Sequence, residues 1–558
     1  MTRTERLRLL GLWLCLGLLP LFLRPLWEPD EARYAEIPRE MLALGDWLTP
    51  RLDYVRYFEK PPFQYWLSAA SMRVFGLHPF AARLPLALAT LISLWCAWRL
   101  ARRLGARQPL WAAFMAATAV LAYVCGQILT LDALFAAFHL LAFTCAVEAV
   151  AERYAGRGGR RWTLAAFASL ALAMLTKGLA APVLVGTGLL LSLPWAWREA
   201  RLRSALLRTL FDPWGWLLFA ALAAPWFVLV DRANPGHAQF FFLHEHFARF
   251  TSHVHSREGS KNPILDKLYF FGILGPGLVP WLAAGLVGLR RGLGFLRRPA
   301  GPQIAQAPLH RWTVAATLLA AAWPFIFYTL SGSKLPPYIL PSVVPILALA
   351  CAFEREGEEA RALVRSGREL LVLGILLILA GPFLLKDRSG LGWVLATGAA
   401  FAGLGCWALR PRGLTGARWA AGLGAVLILL TVAAQGAAGR GKTVTALVRR
   451  APADAQWISC GNYYQGLAFA SGRRVVVVAG TGELAYGRDH LAPAERDRWF
   501  QEDDRAFTSM ARRLAAEDPG RPVWALVDRH TWAGLAPEQR DAWRIEDRTP
   551  SCLLVALR

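Results

Sequence analysis

Long apolar runs separated by short polar stretches make up the chain from its start to about position 440. They lie near 8–27, 80–98, 109–127, 131–150, 163–178, 180–196, 214–231, 269–289, 311–330, 338–353, 370–385, 390–409 and 419–437. A helix needs about 20 apolar residues to cross a bilayer core. The pattern predicts a mainly α, polytopic membrane protein with about thirteen transmembrane helices. The first run is long and lacks a small-residue cleavage site, so it reads as a retained span.

Two outer loops interrupt this pattern, at 28–79 and 232–268, within a membrane unit spanning 1–439. In the first loop Asp30 is placed to cap a helix over ARYAEIPREMLALG, with Gly45 as its stop. Tyr34, Ile37 and Met41 share one face of that helix, as an interfacial helix requires. Pro61 and Pro62 open a second short helix through Tyr65, Trp66 and Ser68. Beyond 440 the hydropathy falls, and residues 440–558 read as a soluble α/β domain. Its elements are helix, strand, helix and strand, then a helix stopped at Gly520, a strand over 522–527 and a last strand over 553–557. That domain carries no phosphate-binding glycine motif and no nucleophile elbow, so it is assigned packing or partner contact.

Charge adds orientation. The net charge of +23 comes mostly from arginines in alternate loops, such as Arg99, Arg102, Arg103 and Arg107, then Arg153, Arg157, Arg160 and Arg161. Positive residues near span ends stay on the cytoplasmic side, which puts the first loop, the 232–268 loop and the C-terminal domain outside. The basic balance is therefore topology and implies no nucleic acid. Lysines run the other way: Lys60, Lys177, Lys261, Lys267, Lys334, Lys386 and Lys442 all fall on the predicted outer side. They read either as snorkelling side chains or as partners of an anionic lipid headgroup. Cys460 and Cys552 are the two cysteines outside the membrane unit, and a disulfide between them is open on compartment grounds.

Candidate chemistry concentrates in 27–66, where Asp30, Glu31, Glu59 and Lys60 are interleaved with Tyr34, Tyr57, Tyr65 and several tryptophans. Asp132, at the mouth of the fourth span, reads as a helix cap or a site partner, and both can hold. Lys177 has no local counter-charge. Arg249 and Arg257 are outer-side guanidinium groups suited to bidentate phosphate contact. The loop FIFYTLSGSKLPPYILPS offers Lys334 and Tyr338. His244, His246, His253 and His255 lack a strict zinc spacing. Polar side chains at the outer boundary fit either a transferase acting on lipid-linked sugar or a transporter. The absence of a hydropathy repeat and of midplane charges favours the enzyme.

DEARYAEIPREML, GDWLTP and YFEKPPFQYW resemble the first outer loop of the lipid A aminoarabinose transferases, in the C-type glycosyltransferase superfamily related to protein O-mannosyltransferases. The likeness continues through FGLHPFAARLP (75–85), TLDALFAAF (130–138), LTKGLAAPVL (175–184), HEHFARF (244–250), HSRE (255–258) and SGSKLPPYILP (331–341). His246 departs from the pattern, where asparagine is the commoner residue. The resemblance implies a C-type glycosyltransferase fold. The implied reaction moves 4-amino-4-deoxy-L-arabinose from undecaprenyl phosphate to a lipid A phosphate, at the periplasmic face of a Gram-negative inner membrane. Polymyxin resistance would follow; a polyprenyl-phosphate transferase acting on protein or another glycan is the alternative. The implied site has Asp30, Glu31 and Asp132 as catalytic carboxylates and Lys60, Arg249, Lys177 and Arg257 on the phosphate. Tyr338, Lys334 and Tyr57 would govern substrate access, and Glu59 with His244 would hold a divalent metal ion if one is used. Partners are the undecaprenyl-phosphate sugar donor, the lipid A acceptor and membrane lipids, and the protein is expected to be a monomer.

Overall fold

The computed structural model describes residues 1–248, 262–298, 307–384, 390–409, 416–439 and 441–558, except for a few side chains. Helical structure lies over every predicted apolar run. Among the described residues, six helices are long and apolar enough to cross a membrane, or seven if one bent pair counts as a single span. This makes a multi-pass membrane protein, with six or seven described helices of spanning length against the thirteen expected. Two of the predicted runs are broken. The 269–289 run splits into Pro263–Leu278 and Leu282–Arg297, bent by 114° at Val279–Trp281. Pro276 and Pro280 each lack the amide that would continue the helix. The 109–127 run breaks at an extended Ala119, between Pro109–Thr118 and Val120–Cys125.

The two breaks lie against one another. Val120 N donates to the Val279 carbonyl at 3.0 Å, and Trp281 Nε1 donates to Thr118 Oγ1 at 2.9 Å. Glu369 accepts from the amides of Leu282 and Ala283 at 2.9 and 2.7 Å, closing the start of the second half-helix. Backbone freed from helical bonding at membrane depth is tolerated only when other groups satisfy it, as they do here.

The first outer loop is built on the helix Asp30–Leu44, stopped by Gly45 at φ 66° in the left-handed region. Asp30 does not cap it: Pro29 holds the cap position and Asp30 is the first helical residue. A hairpin of β1 (Arg51–Leu52) and β2 (Val55–Arg56) follows, then the helix Phe63–Phe75. Asp53 and Tyr54 turn the hairpin at φ 52° and 62°. A two-residue hairpin loop needs positive φ at both positions, and non-glycine residues there are strained. The turn is held from both sides. Glu40 accepts from Tyr54 N at 2.9 Å, and Asp53 accepts from Val475 N at 2.9 Å.

Glu31 anchors this loop to the membrane helices. Its side chain is 1% exposed and shared by two guanidinium groups. Arg83 donates to it from Nε and Nη2, both at 3.0 Å, and Arg24 from Nη2 at 2.8 Å. The amides of Leu129 and Trp27 add bonds of 2.7 and 3.1 Å. Burial pushes the Glu31 carboxyl up, but the two arginines outweigh it and bring it down to about 2. Arg83 also donates to the carbonyls of Arg24 and Pro25 at 2.7 Å.

Beyond the membrane helices, six strands form one sheet in the order β5-β4-β3-β6-β8-β7, where β3 is Gln456–Cys460, β4 Val476–Val478, β5 Phe500–Gln501, β6 Val523–Asp528, β7 Trp543–Arg548 and β8 Cys552–Leu557. β5, β4, β3 and β6 run parallel, and β8 and β7 add an antiparallel edge. Cys460 and Cys552 are buried free thiols. β6 lies between their strands, so they stand about 10 Å apart and outside disulfide reach. The sheet region docks on the first loop. Glu28 Oε1 accepts from Gly466 N at 2.7 Å, Glu28 N donates to the Lys442 carbonyl at 2.8 Å, and Gly487 lies so close to β2 that a Cβ there would meet the Arg56 carbonyl at 2.5 Å.

Two outcomes follow from these contacts. Replacing Glu31 by Ala leaves two buried guanidinium groups without their carboxylate and should cost about 3–5 kcal/mol, read as a lower thermal midpoint of the detergent-solubilised protein. A wild-type midpoint would refute the anchoring role. Docking should also weaken with rising pH. Burial pushes Asp53 up to about 7 and Glu28 up to about 8, so their contribution is full below the usual carboxylate range and is lost as pH rises through 7–8. Hydrogen exchange of Gly466 and Val475 should accelerate from pH 6 to pH 9 beyond its intrinsic rise. The double variant Asp53→Asn, Glu28→Gln should flatten that change.

Candidate active site

Consecutive residues on the first-loop helix point about 100° apart, so Asp30 and Glu31 face different surroundings. Glu31 is held by Arg24 and Arg83 in a buried arginine cage. Asp30 remains 54% exposed and is ion-paired on one side with Arg33, one helical turn on. Arg33 is buried and reaches in turn to Glu483, which follows β4, while Gln465 donates to the other oxygen of Glu483. The C-terminal region thus supplies a carboxylate to the outer loop that carries Asp30. Arg33 was legible as an i,i+3 partner of Asp30. Glu483, 450 residues away, has no local signal.

A second pair lies at the mouths of two membrane helices. Asp132 sits in the first turn of Leu131–Tyr154, where Thr130 holds the cap position, and Lys177 ends Arg160–Lys177. They form a half-buried ion pair, so the lysine without a local counter-charge finds one 45 residues back. The Lys177 Nζ also stands 3.9 Å from the Tyr338 ring centroid, a cation–π contact, and Tyr338 lies 4.9 Å from Tyr328. Lys334, buried just before Tyr338, pairs with Asp266 at 2.6 Å and donates to the Ser331 carbonyl at 2.8 Å.

Tyr34 links the two groups. Burial pushes its hydroxyl up; Arg33 opposes that, and the charges of Asp30, Asp132 and Glu59 all add to it. Tyr57 is buried too, and its hydroxyl, pushed up by burial, has no hydrogen-bond partner among the described residues. Tyr65 repeats that pattern. Lys60 donates to the Glu59 carbonyl at 2.7 Å and pairs with Glu245 at 3.4 Å. Glu245 belongs to the helical segment Gln239–Ala248, so the 232–268 loop meets the first loop at the candidate phosphate-binding lysine.

Arg249 and Arg257 lie outside the described residues, and so does the side chain of His244. Among the described residues no three His, Cys, Asp or Glu side chains gather closely enough to hold a metal ion, and Glu59 therefore has no described ligand set around it.

Residues 59–228 match the family model of dolichyl-phosphate-mannose-protein mannosyltransferases. The chain is 30% identical to an undecaprenyl phosphate-α-4-amino-4-deoxy-L-arabinose arabinosyl transferase of Pseudomonas fluorescens, over 73% of each protein. A Sodalis glossinidius protein of the same name is 32% identical over 74% of this chain and 73% of its own length. One from Edwardsiella ictaluri is 33% identical, and there the chain spans 63% of the relative's length. The crystal structure of ArnT from Cupriavidus metallidurans bound to undecaprenyl phosphate superposes with a TM-score of 0.78 at 25% identity, covering 100% of this chain and 98% of that one. The outer-loop motifs and this breadth of similarity agree, and the chain belongs to the undecaprenyl phosphate-α-4-amino-4-deoxy-L-arabinose arabinosyl transferase family.

Proposed function

We propose that the protein is a membrane glycosyltransferase that moves 4-amino-4-deoxy-L-arabinose from undecaprenyl phosphate to a lipid A phosphate. The observation that carries the reading is an exposed carboxylate, Asp30, held from one side by Arg33, together with two half-buried lysines, Lys60 and Lys177, ion-paired with Glu245 and Asp132. A site of that composition suits displacement of a lipid phosphate from a cationic sugar. Similarity across the whole chain to a transferase crystallised with undecaprenyl phosphate supports the donor. The sugar and the acceptor rest on the relatives' names and on the resemblance of the outer-loop motifs.

The leaving group is a phosphate monoester whose charge grows as its bond to the anomeric carbon breaks. Lys60 and Lys177 stabilise that charge, and Arg249 and Arg257 are assigned to the same phosphate. In the free protein Glu245 and Asp132 neutralise the two lysines, and the incoming phosphate takes over that role. The acceptor phosphate is already an anion and needs little deprotonation. Asp30 therefore acts on the sugar, holding its ammonium group or countering positive charge at the anomeric carbon. Arg33 and Glu483 fix the direction of that carboxylate. Displacement is direct and inverts the anomeric centre. Tyr338 and Lys334, flanked by the Lys177 and Asp266 contacts, govern entry of the lipid headgroup. Residues 1–439 form the membrane unit, with its two large loops at 28–79 and 232–268 in the periplasm, the C-terminal unit 440–558 also outside and the protein acting as a monomer in the inner membrane.

Purified protein in detergent, given donor lipid and lipid A, should form the modified product, because transfer between lipids needs no sidedness whereas flipping does. Asp30→Asn and Lys60→Ala should each lower the rate by about a hundredfold, the usual loss when a charge-stabilising group is removed. Polymyxin survival of cells carrying them should fall in parallel. Full transfer by both variants would remove the proposed site. Absence of product from wild-type protein with both lipids present would remove the proposed reaction.

A further inference from the structure

A cavity of about 1020 Å³ opens between the helices Arg3–Trp13, Pro109–Thr118 and Gly416–Ala438. Three other cavities between the helices hold about 30–60 Å³. It lies at the far end of the membrane helices from Asp30. The first span leads from Arg8 to the Trp27 loop, and the helix Pro79–Arg103 leads from Arg83, which grips Glu31, back to the turn that carries Arg107.

The walls are apolar, with Leu12, Trp111, Phe114 and Ile428 facing the space. The helices do not close over it. A Cβ added at Gly11 would meet nothing within 4 Å, and one at Gly424 would meet only Leu16 Cδ2 at 3.6 Å. The rim is charged. Glu5 is committed to its own helix start, accepting from Thr2 N at 2.7 Å and from Trp98 Nε1 at 3.3 Å. Arg8 is exposed and makes no ion pair among the described residues. Arg107 pairs with Glu356 at 3.1 Å, but those side chains are 63% and 85% exposed, and such a surface pair holds weakly. Two guanidinium groups thus stand over an apolar trough, with Trp111 near the boundary, where tryptophan sits at headgroup level.

We infer that this groove binds an anionic phospholipid from the leaflet on the Arg8 side, with an acyl chain in the trough and the phosphate between Arg8 and Arg107. An apolar trough open to a bilayer takes lipid tails of any kind, so selectivity comes from the rim. Guanidinium groups engage phosphate oxygens bidentately, and a headgroup of net negative charge gains from both arginines where a zwitterionic one loses part of the gain to its own cation. The site is separate from the sugar-transfer site and shares none of its residues.

The full-length protein, reconstituted into nanodiscs of phosphatidylcholine with a minority of phosphatidylglycerol and then extracted mildly, should retain phosphatidylglycerol well above its bulk proportion. Mass spectrometry of the co-purified lipid reads this out. Arg8→Gln and Arg107→Gln should each lower the enrichment by about fivefold, the factor an arginine near an anionic headgroup supplies. Gly424→Leu keeps both arginines, fills the trough and should lower retention of both lipids. Inorganic phosphate should not displace the lipid, since the tail holds it. Bulk-proportion retention by the wild-type protein overturns the proposal without recourse to any variant. Undiminished enrichment in the double arginine variant, or displacement by phosphate, overturns it as well.

Discussion

A carboxylate buried to 1% exposure, shared by one arginine just past the first span and one from the helix Pro79–Arg103, ties the outer loop to the membrane helices. Removing a charge from water is costly unless partners surround it, so Glu31, Arg24 and Arg83 each need the other two. Arg24 comes from the end of the first span, Glu31 from the loop helix, Arg83 from the next long helix, and Leu129 from the turn before Asp132. Four pieces of chain therefore close on one carboxylate. The position of Asp30 follows from it, because a residue next to an anchored one on a helix has its direction set. Adjacent acidic residues thus differ in surroundings: one is held in the protein and one is left largely exposed.

The same economy governs the broken helices. A chain that leaves helical geometry inside a bilayer must find partners for its freed amides and carbonyls. Here one break supplies the other, through Val120 and Val279, and Glu369 closes the remaining end. The membrane unit accommodates two irregular helices without leaving those groups bare.

The C-terminal sheet is more than an appendage. It touches the outer loop through Glu28, Asp53 and Gly487, and it sends Glu483 to Arg33, the partner of Asp30. The loop lies between membrane helices on one side and the sheet on the other, which holds strained turns such as Asp53–Tyr54 in place. A site made in this way depends on both parts of the chain even though its motifs come from one.

Apolar runs, helix stops such as Gly45 and the dense polar loop at 27–66 are local features, and local physics made them legible: bilayer thickness, helix period and the conformational freedom of glycine. The motifs of the first loop likewise carried the family resemblance. The breaks at Ala119 and Val279 were not legible, because their runs are as apolar as unbroken ones. Nor was the split between Asp30 and Glu31, which the pattern treats alike and only Arg24 and Arg83 separate. Lys177 lacked a counter-charge in its own stretch and found Asp132 through packing; Glu483 and Arg33 met across 450 positions. Cys460 and Cys552 share a compartment, yet an intervening strand keeps them apart. Sequence by itself determined where the apolar helices run and where the polar side chains gather between them, since burial of apolar surface acts residue by residue. Tertiary structure alone decided which charges are neutralised inside and which stay available, because pairing depends on distances between segments far apart in the chain.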